Sequence, residues 1–131
     1  MSIPGWLLVA AGSALGGVGR YGLALLWPAV PGRWPVATMG ANLLGSFAIG
    51  ALSVLLGARA DSSAALDLRL FLMTGVLGGF TTYSAFALES LLLAQGGAAW
   101  RSAGYVAATI ALCLLAAWVG RALAGAWITE A

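Results

Sequence analysis

No charged side chain occurs between residues 34 and 58, between 70 and 88, or between 102 and 120, and the first nineteen residues are uncharged as well. Each gap is close to the roughly 20 residues with which a helix crosses the hydrocarbon of a bilayer. The 131-residue chain has only six arginines and four carboxylates, no lysine and no histidine, while 62% of it is hydrophobic. A soluble domain of this size needs a more charged surface. The expected fold is therefore all-α and integral to a membrane, a single domain over 1–131 with helices at about 4–27, 35–57, 67–95 and 99–125. The N-terminal stretch has no basic leader and outruns the apolar part of a signal peptide, so it is read as the first of the four.

The connections are PAVPGR at 28–33, ARADSSAALD at 58–67 and QGGAA at 95–99, none long enough for a separate domain. The arginines are scattered rather than clustered, which removes the footprint of a nucleic-acid binder. Cys113 is the single cysteine, so neither a disulfide framework nor a thiolate metal cluster is expected. Without histidine or a paired-carboxylate site, no enzyme is expected either.

The third span is the anomaly. Gly75 to Glu89 reads GVLGGFTTYSAFALE, with three glycines, adjacent threonines and aromatic residues at 80, 83 and 86. Irregular backbone at bilayer depth survives only where protein or a wet cavity receives its freed carbonyls and amides. A break in this helix, and the site of function beside it, are expected here.

Orientation is balanced. Four spans put Arg59, Arg69 and Arg121 on one side and Arg20, Arg33 and Arg101 on the other, and the six tryptophans also divide three and three. Since excess Arg and Lys in cytoplasmic loops normally chooses the orientation, an equal split is consistent with insertion both ways and an antiparallel dimer. It is equally what small counts give in a small protein. Small residues four apart, at Gly12 and Gly16, Ala41 and Gly45, Ser46 and Gly50, and Gly75 and Gly79, allow close helix approach within one chain or between two.

Polar residues narrow the chemistry. Thr38, Asn42 and Ser46 share one face of the second helix, and Tyr105, Thr109 and Cys113 share one face of the fourth. With Thr81, Thr82 and Ser84 they form a candidate track of neutral donors, although any one hydroxyl can instead bond back to its own helix. Asn42 needs more than that, because its amide brings two donors and an acceptor. Neutral donors suit a small, strongly hydrated anion such as fluoride, which a buried arginine would hold too tightly. The edges of Phe80, Tyr83 and Phe86 carry the positive part of the ring quadrupole and can add to this, or the rings can simply be core.

GGVGRY at 16–21, TMGANLLGSF at 38–47 and GGFTTYSAF at 78–86 followed by Glu89 resemble the bacterial fluoride channels, the Fluc or CrcB family, across essentially the whole chain. The resemblance implies a dual-topology antiparallel homodimer in the bacterial cell (inner) membrane, with two pores that export fluoride passively and a structural Na+ at the dimer centre. It further implies that Thr38 and Asn42 line the pore, that Tyr83 and Phe86 present ring edges to fluoride, and that Tyr105, Thr109 and Cys113 form a polar track. The Na+ ligands fall on the backbone carbonyls of Gly78 and Thr81, which suit a hard cation. Tyr83 replaces a phenylalanine of the pattern, and Cys113 stands where a hydroxyl is more usual; a thiol is the weaker donor.

Arg20 lies about 24 Å along the first helix at 1.5 Å per residue, where it either snorkels to the interface or sits at a wet vestibule as the resemblance implies. Glu89 should lie at a similar depth, so the two are expected to pair. The alternative function is a small dual-topology, proton-coupled multidrug exporter. That mechanism needs a deep carboxylate, and Glu89 is the one candidate. A non-transporting assembly subunit is the third reading.

Overall fold

The structure, a computed structural model, describes residues 3–57, 62–97 and 99–130; Arg59 and Asp61 of the second connection lie outside them. Helix α1 spans Gly5–Leu26 and α2 Val36–Leu55. The third span comprises α3 at Ser63–Arg69, a π-helical segment at Leu70–Leu77, α4 at Gly78–Phe80 and α5 at Tyr83–Gln95. Helix α6 runs over Ala99–Glu130. Four stretches, Gly5–Leu26, Val36–Leu55, Ser63–Gln95 and Ala99–Thr129, are long and apolar enough to cross a membrane. There is no strand among the described residues.

Local chemistry explains most of the boundaries. Trp27 precedes Pro28 and is pushed out of the helical region (φ −128°, ψ 77°), which ends α1. The third span begins at Ser63 rather than near 67 because the Ser62 hydroxyl caps it, accepting from the Ala65 amide at 3.1 Å. Helix α6 continues past 125, since neither proline nor a carboxylate interrupts it before Glu130. The π-helical segment has no signature in the sequence. Such segments widen a helix by a residue per turn and are frequent near functional sites.

Packing pairs α1 with the third span and α2 with α6. Glycine permits the first contact: a Cβ on Gly75 would lie 2.9 Å from the Gly12 Cα, and one on Gly79 would lie 2.9 Å from the Ser13 Cα. In the second pair, a Cβ on Gly50 would lie 3.0 Å from Ala117 Cα. The small-residue pairs noted in the sequence are therefore engaged within the chain. In lipid, where no hydrophobic force drives helices together, such backbone approach is the principal source of cohesion.

Candidate functional site

Two adjacent threonines divide the third span. Thr81 (ψ 155°) and Thr82 (ψ 117°) are both extended. The Thr81 hydroxyl donates to the Leu77 carbonyl at 2.9 Å and closes the helix behind it, whereas the Thr82 hydroxyl accepts from the Ala85 amide at 3.2 Å and caps the helix ahead. Asn42 holds this point from α2. Its Oδ1 accepts from the Thr82 amide at 2.7 Å, and its Nδ2 donates to the Thr82 carbonyl at 3.1 Å. The side chain thus pairs with one peptide as a neighbouring strand would, and both polar groups of Thr82 are satisfied at membrane depth.

Two carbonyls lose their helical partners in the process. The Thr82 amide that would close a turn on Gly78 goes to Asn42, and the Ala85 amide that would close one on Thr81 goes to the Thr82 hydroxyl. The Gly79 carbonyl accepts from Arg20 Nε at 3.3 Å. Freed carbonyl oxygens at a break are the donor type a hard cation takes.

Beside the break is an open cavity of about 400 Å³. Of the residues singled out in the sequence, Asn42, Ser46, Tyr83, Phe86, Thr109 and Cys113 line it, together with Gly78, Thr81 and Thr82. Among the described residues, no arginine, aspartate or glutamate does. The Thr109 hydroxyl is buried, with 4% exposure, beside the Tyr105 side chain. Tyr83 is 81% exposed, a large ring left uncovered at the cavity rim.

Thr38 and Tyr105 lie behind this cavity rather than on its wall. The Thr38 hydroxyl donates to Glu89 Oε1 at 2.7 Å, and the Tyr105 hydroxyl donates to Glu89 Oε2 at 3.1 Å. Phe86 separates this carboxyl cluster from the rim as part of a ladder of tilted rings. The ring centroids of Tyr83 and Phe86 are 5.8 Å apart, those of Phe86 and Tyr105 5.4 Å, and those of Tyr105 and Trp34 6.2 Å. Such tilted pairs add about 0.5–1.5 kcal/mol each beyond burial.

The expected pairing of Arg20 with Glu89 is not what forms. Arg20 bonds the Gly79 carbonyl and Glu89 bonds two hydroxyls, and no ion pair closer than 4 Å occurs among the described residues. The reason is proximity of neutral partners: α1 packs on the segment before the break, while Glu89 on α5 faces α2 and α6. Glu89 is a junction of three helices that the sequence does not announce, because Thr38, Glu89 and Tyr105 share no spacing. Glu89→Gln removes one of the two acceptors. One hydroxyl must then turn away or face an amide donor, and the thermal unfolding of the purified protein should show a loss of about 1–3 kcal/mol. An unchanged unfolding midpoint would show that the two hydroxyls do not depend on the carboxylate.

Comparison with known proteins adds a family. Residues 7–121 match the family described as CrcB-like protein, Camphor Resistance (CrcB). The Fluoride-specific ion channel FluC of Paramagnetospirillum magneticum is 44% identical over 121 residues, which cover 91% of this chain and 94% of that one. The channel of the same name from Rhodospirillum centenum is 47% identical over 124 residues, covering 89% and 92%. That from Agrobacterium fabrum is 42% identical over 117 residues, covering 88% and 92%.

Proposed function

The chain belongs to the CrcB-like family, and on that premise we propose that it is a fluoride-selective ion channel through which fluoride leaves the cell passively, relieving its toxicity. The observation that carries this reading is the cavity beside the break, whose wall offers neutral donors and ring edges and, among the described residues, no charged side chain. Such a wall suits fluoride. Small and strongly hydrated, it exchanges water for several close donors, and a path without fixed positive charge lets it leave again.

Within this reading Asn42, Thr109 and Cys113 supply donors along the path, and Tyr83 and Phe86 present ring edges. Thr38 and Tyr105 act through Glu89, holding Phe86 from behind. Arg20, half-buried and using one N–H on Gly79, keeps its other donors for the mouth, where they raise the local anion concentration. Two copies in antiparallel, dual-topology arrangement, with one pore along each break, give the exposed Tyr83 ring a covering surface. The protein is then a multi-pass component of the bacterial inner membrane. The carbonyls of Gly78 and Thr81 from both copies are the proposed ligands of a structural Na+, a reading supported by the diversion of their helical amides. Sodium bound there would neutralise the facing carbonyl dipoles and fix the two breaks against each other.

The test uses purified protein in liposomes loaded with fluoride or with chloride. Rapid passive loss of fluoride with chloride retained supports the channel. Proton-dependent exchange of an organic cation, or no flux of either anion, would overturn it.

A further inference from the structure

On the membrane face where α1 and α2 are joined, three hollows share walls. The first, of about 310 Å³, is bounded by Gly32, Arg33, Trp34, Trp100 and Arg101. The second, of about 410 Å³, shares Arg33 and Trp34 with it and adds Trp27 and Val36. The third, of about 190 Å³, shares Trp27 and Val36 with the second and continues between α1 and α2 along Leu23, Ala37, Gly40 and Leu44. Together they run from two guanidinium groups at the interface into a wholly apolar groove. From Val36 to Leu44 the groove follows α2 for about 12 Å at 1.5 Å per residue.

The polar end is preformed. Arg101 donates from Nη1 to the Gly32 carbonyl at 2.8 Å, and its guanidinium carbon lies 5.2 Å from the centre of the Trp100 ring. Gly32 has φ +74°, a conformation that suits glycine, so the turn that offers this carbonyl is specified. Trp34 donates its indole N–H to the Arg101 carbonyl at 3.0 Å and ties the loop to α6. Among the described residues Arg33 makes no side-chain hydrogen bond and no carboxylate forms an ion pair with either arginine. Asp67 lies at the other end of the third span, and Glu89 is taken by Thr38 and Tyr105.

We propose that this continuous feature binds one anionic phospholipid, its phosphate between Arg33 and Arg101 and one acyl chain in the groove between α1 and α2. Charge complementarity fits the headgroup, the flanking tryptophans place it at the level of the lipid phosphates, and the uncharged groove fits a hydrocarbon chain. A free phosphate would account for the arginines but not for the groove. The inference is independent of what the channel conducts.

Native mass spectrometry of the full-length protein tests it, with phosphatidylglycerol and phosphatidylcholine of identical acyl chains added to a neutral detergent. Each interfacial arginine favours an anionic lipid by about fivefold, so phosphatidylglycerol should be retained at least about tenfold better. Arg33→Gln should lower that preference about fivefold while leaving the loop bonds of Arg101 and Trp34 in place. A Cβ at Gly40 meets nothing within 4 Å, so Gly40→Leu should fold, fill the groove and weaken retention of both lipids alike. Equal retention of the two lipids by the unaltered protein, or a preference undiminished in Arg33→Gln, would overturn the proposal. So would displacement of phosphatidylglycerol by inorganic phosphate at equal concentration. Retention indifferent to Gly40→Leu, or a change in the monomer-to-dimer ratio in its place, would assign the groove to another occupant.

Discussion

Asn42→Asp is expected to stop fluoride passage, with efflux from liposomes falling at least a hundredfold, while the protein still folds as a helical membrane protein. Asparagine donates to the Thr82 carbonyl and accepts from the Thr82 amide. Aspartate keeps the acceptor and loses the donor, so two oxygens face each other across about 3 Å in place of a hydrogen bond. The larger effect is on the ion. Two unit negative charges 4 Å apart repel by about 4 kcal/mol at an effective dielectric of 20, close to a thousandfold in occupancy. Asn42→Leu separates the two contributions, since it loses the clamp without adding charge. A defect in the aspartate variant no greater than in the leucine variant would remove Asn42 from the ion's path and leave it as a positioning residue alone.

The second large effect is expected at Phe86. This ring is buried, with 7% exposure, between Tyr83 and Tyr105, and it also lines the cavity. Phe86→Ile keeps apolar bulk and removes the ring edge together with two aromatic pairs. Flux should fall about tenfold or more, with a stability loss on the order of 1–3 kcal/mol from the two pairs. Size-exclusion elution and thermal unfolding report the second quantity apart from the first. Normal fluoride flux in a well-folded Phe86→Ile protein would show that bulk, not ring electrostatics, is what the position supplies.

The membrane architecture was legible from charge spacing, because a span must exclude charges and the gaps between arginines record that directly. The location of the candidate site was legible for a related reason. Adjacent threonines among glycines are poor continuations of a helix, and Thr81 and Thr82 do leave helical geometry. The partners were not legible. Arg20 and Glu89 carry opposite charges, yet which helix each faces depends on rotation about the axis, and a π-helical segment upstream of Glu89 changes that rotation without any residue announcing it. The hydroxyls of Thr38 and Tyr105 share faces with Asn42 and Thr109, yet both bond one carboxylate, that of Glu89, which no spacing in the sequence announces.

The clamp of Asn42 on Thr82 also bears on how the protein is made. Until something satisfies it, the Thr82 peptide would leave an amide and a carbonyl bare in hydrocarbon, a penalty of several kcal/mol. The residue that satisfies it resides on α2, which is synthesised before the third span and awaits it in the bilayer. Contact with α2 therefore relieves a penalty that the third span would otherwise carry in the bilayer.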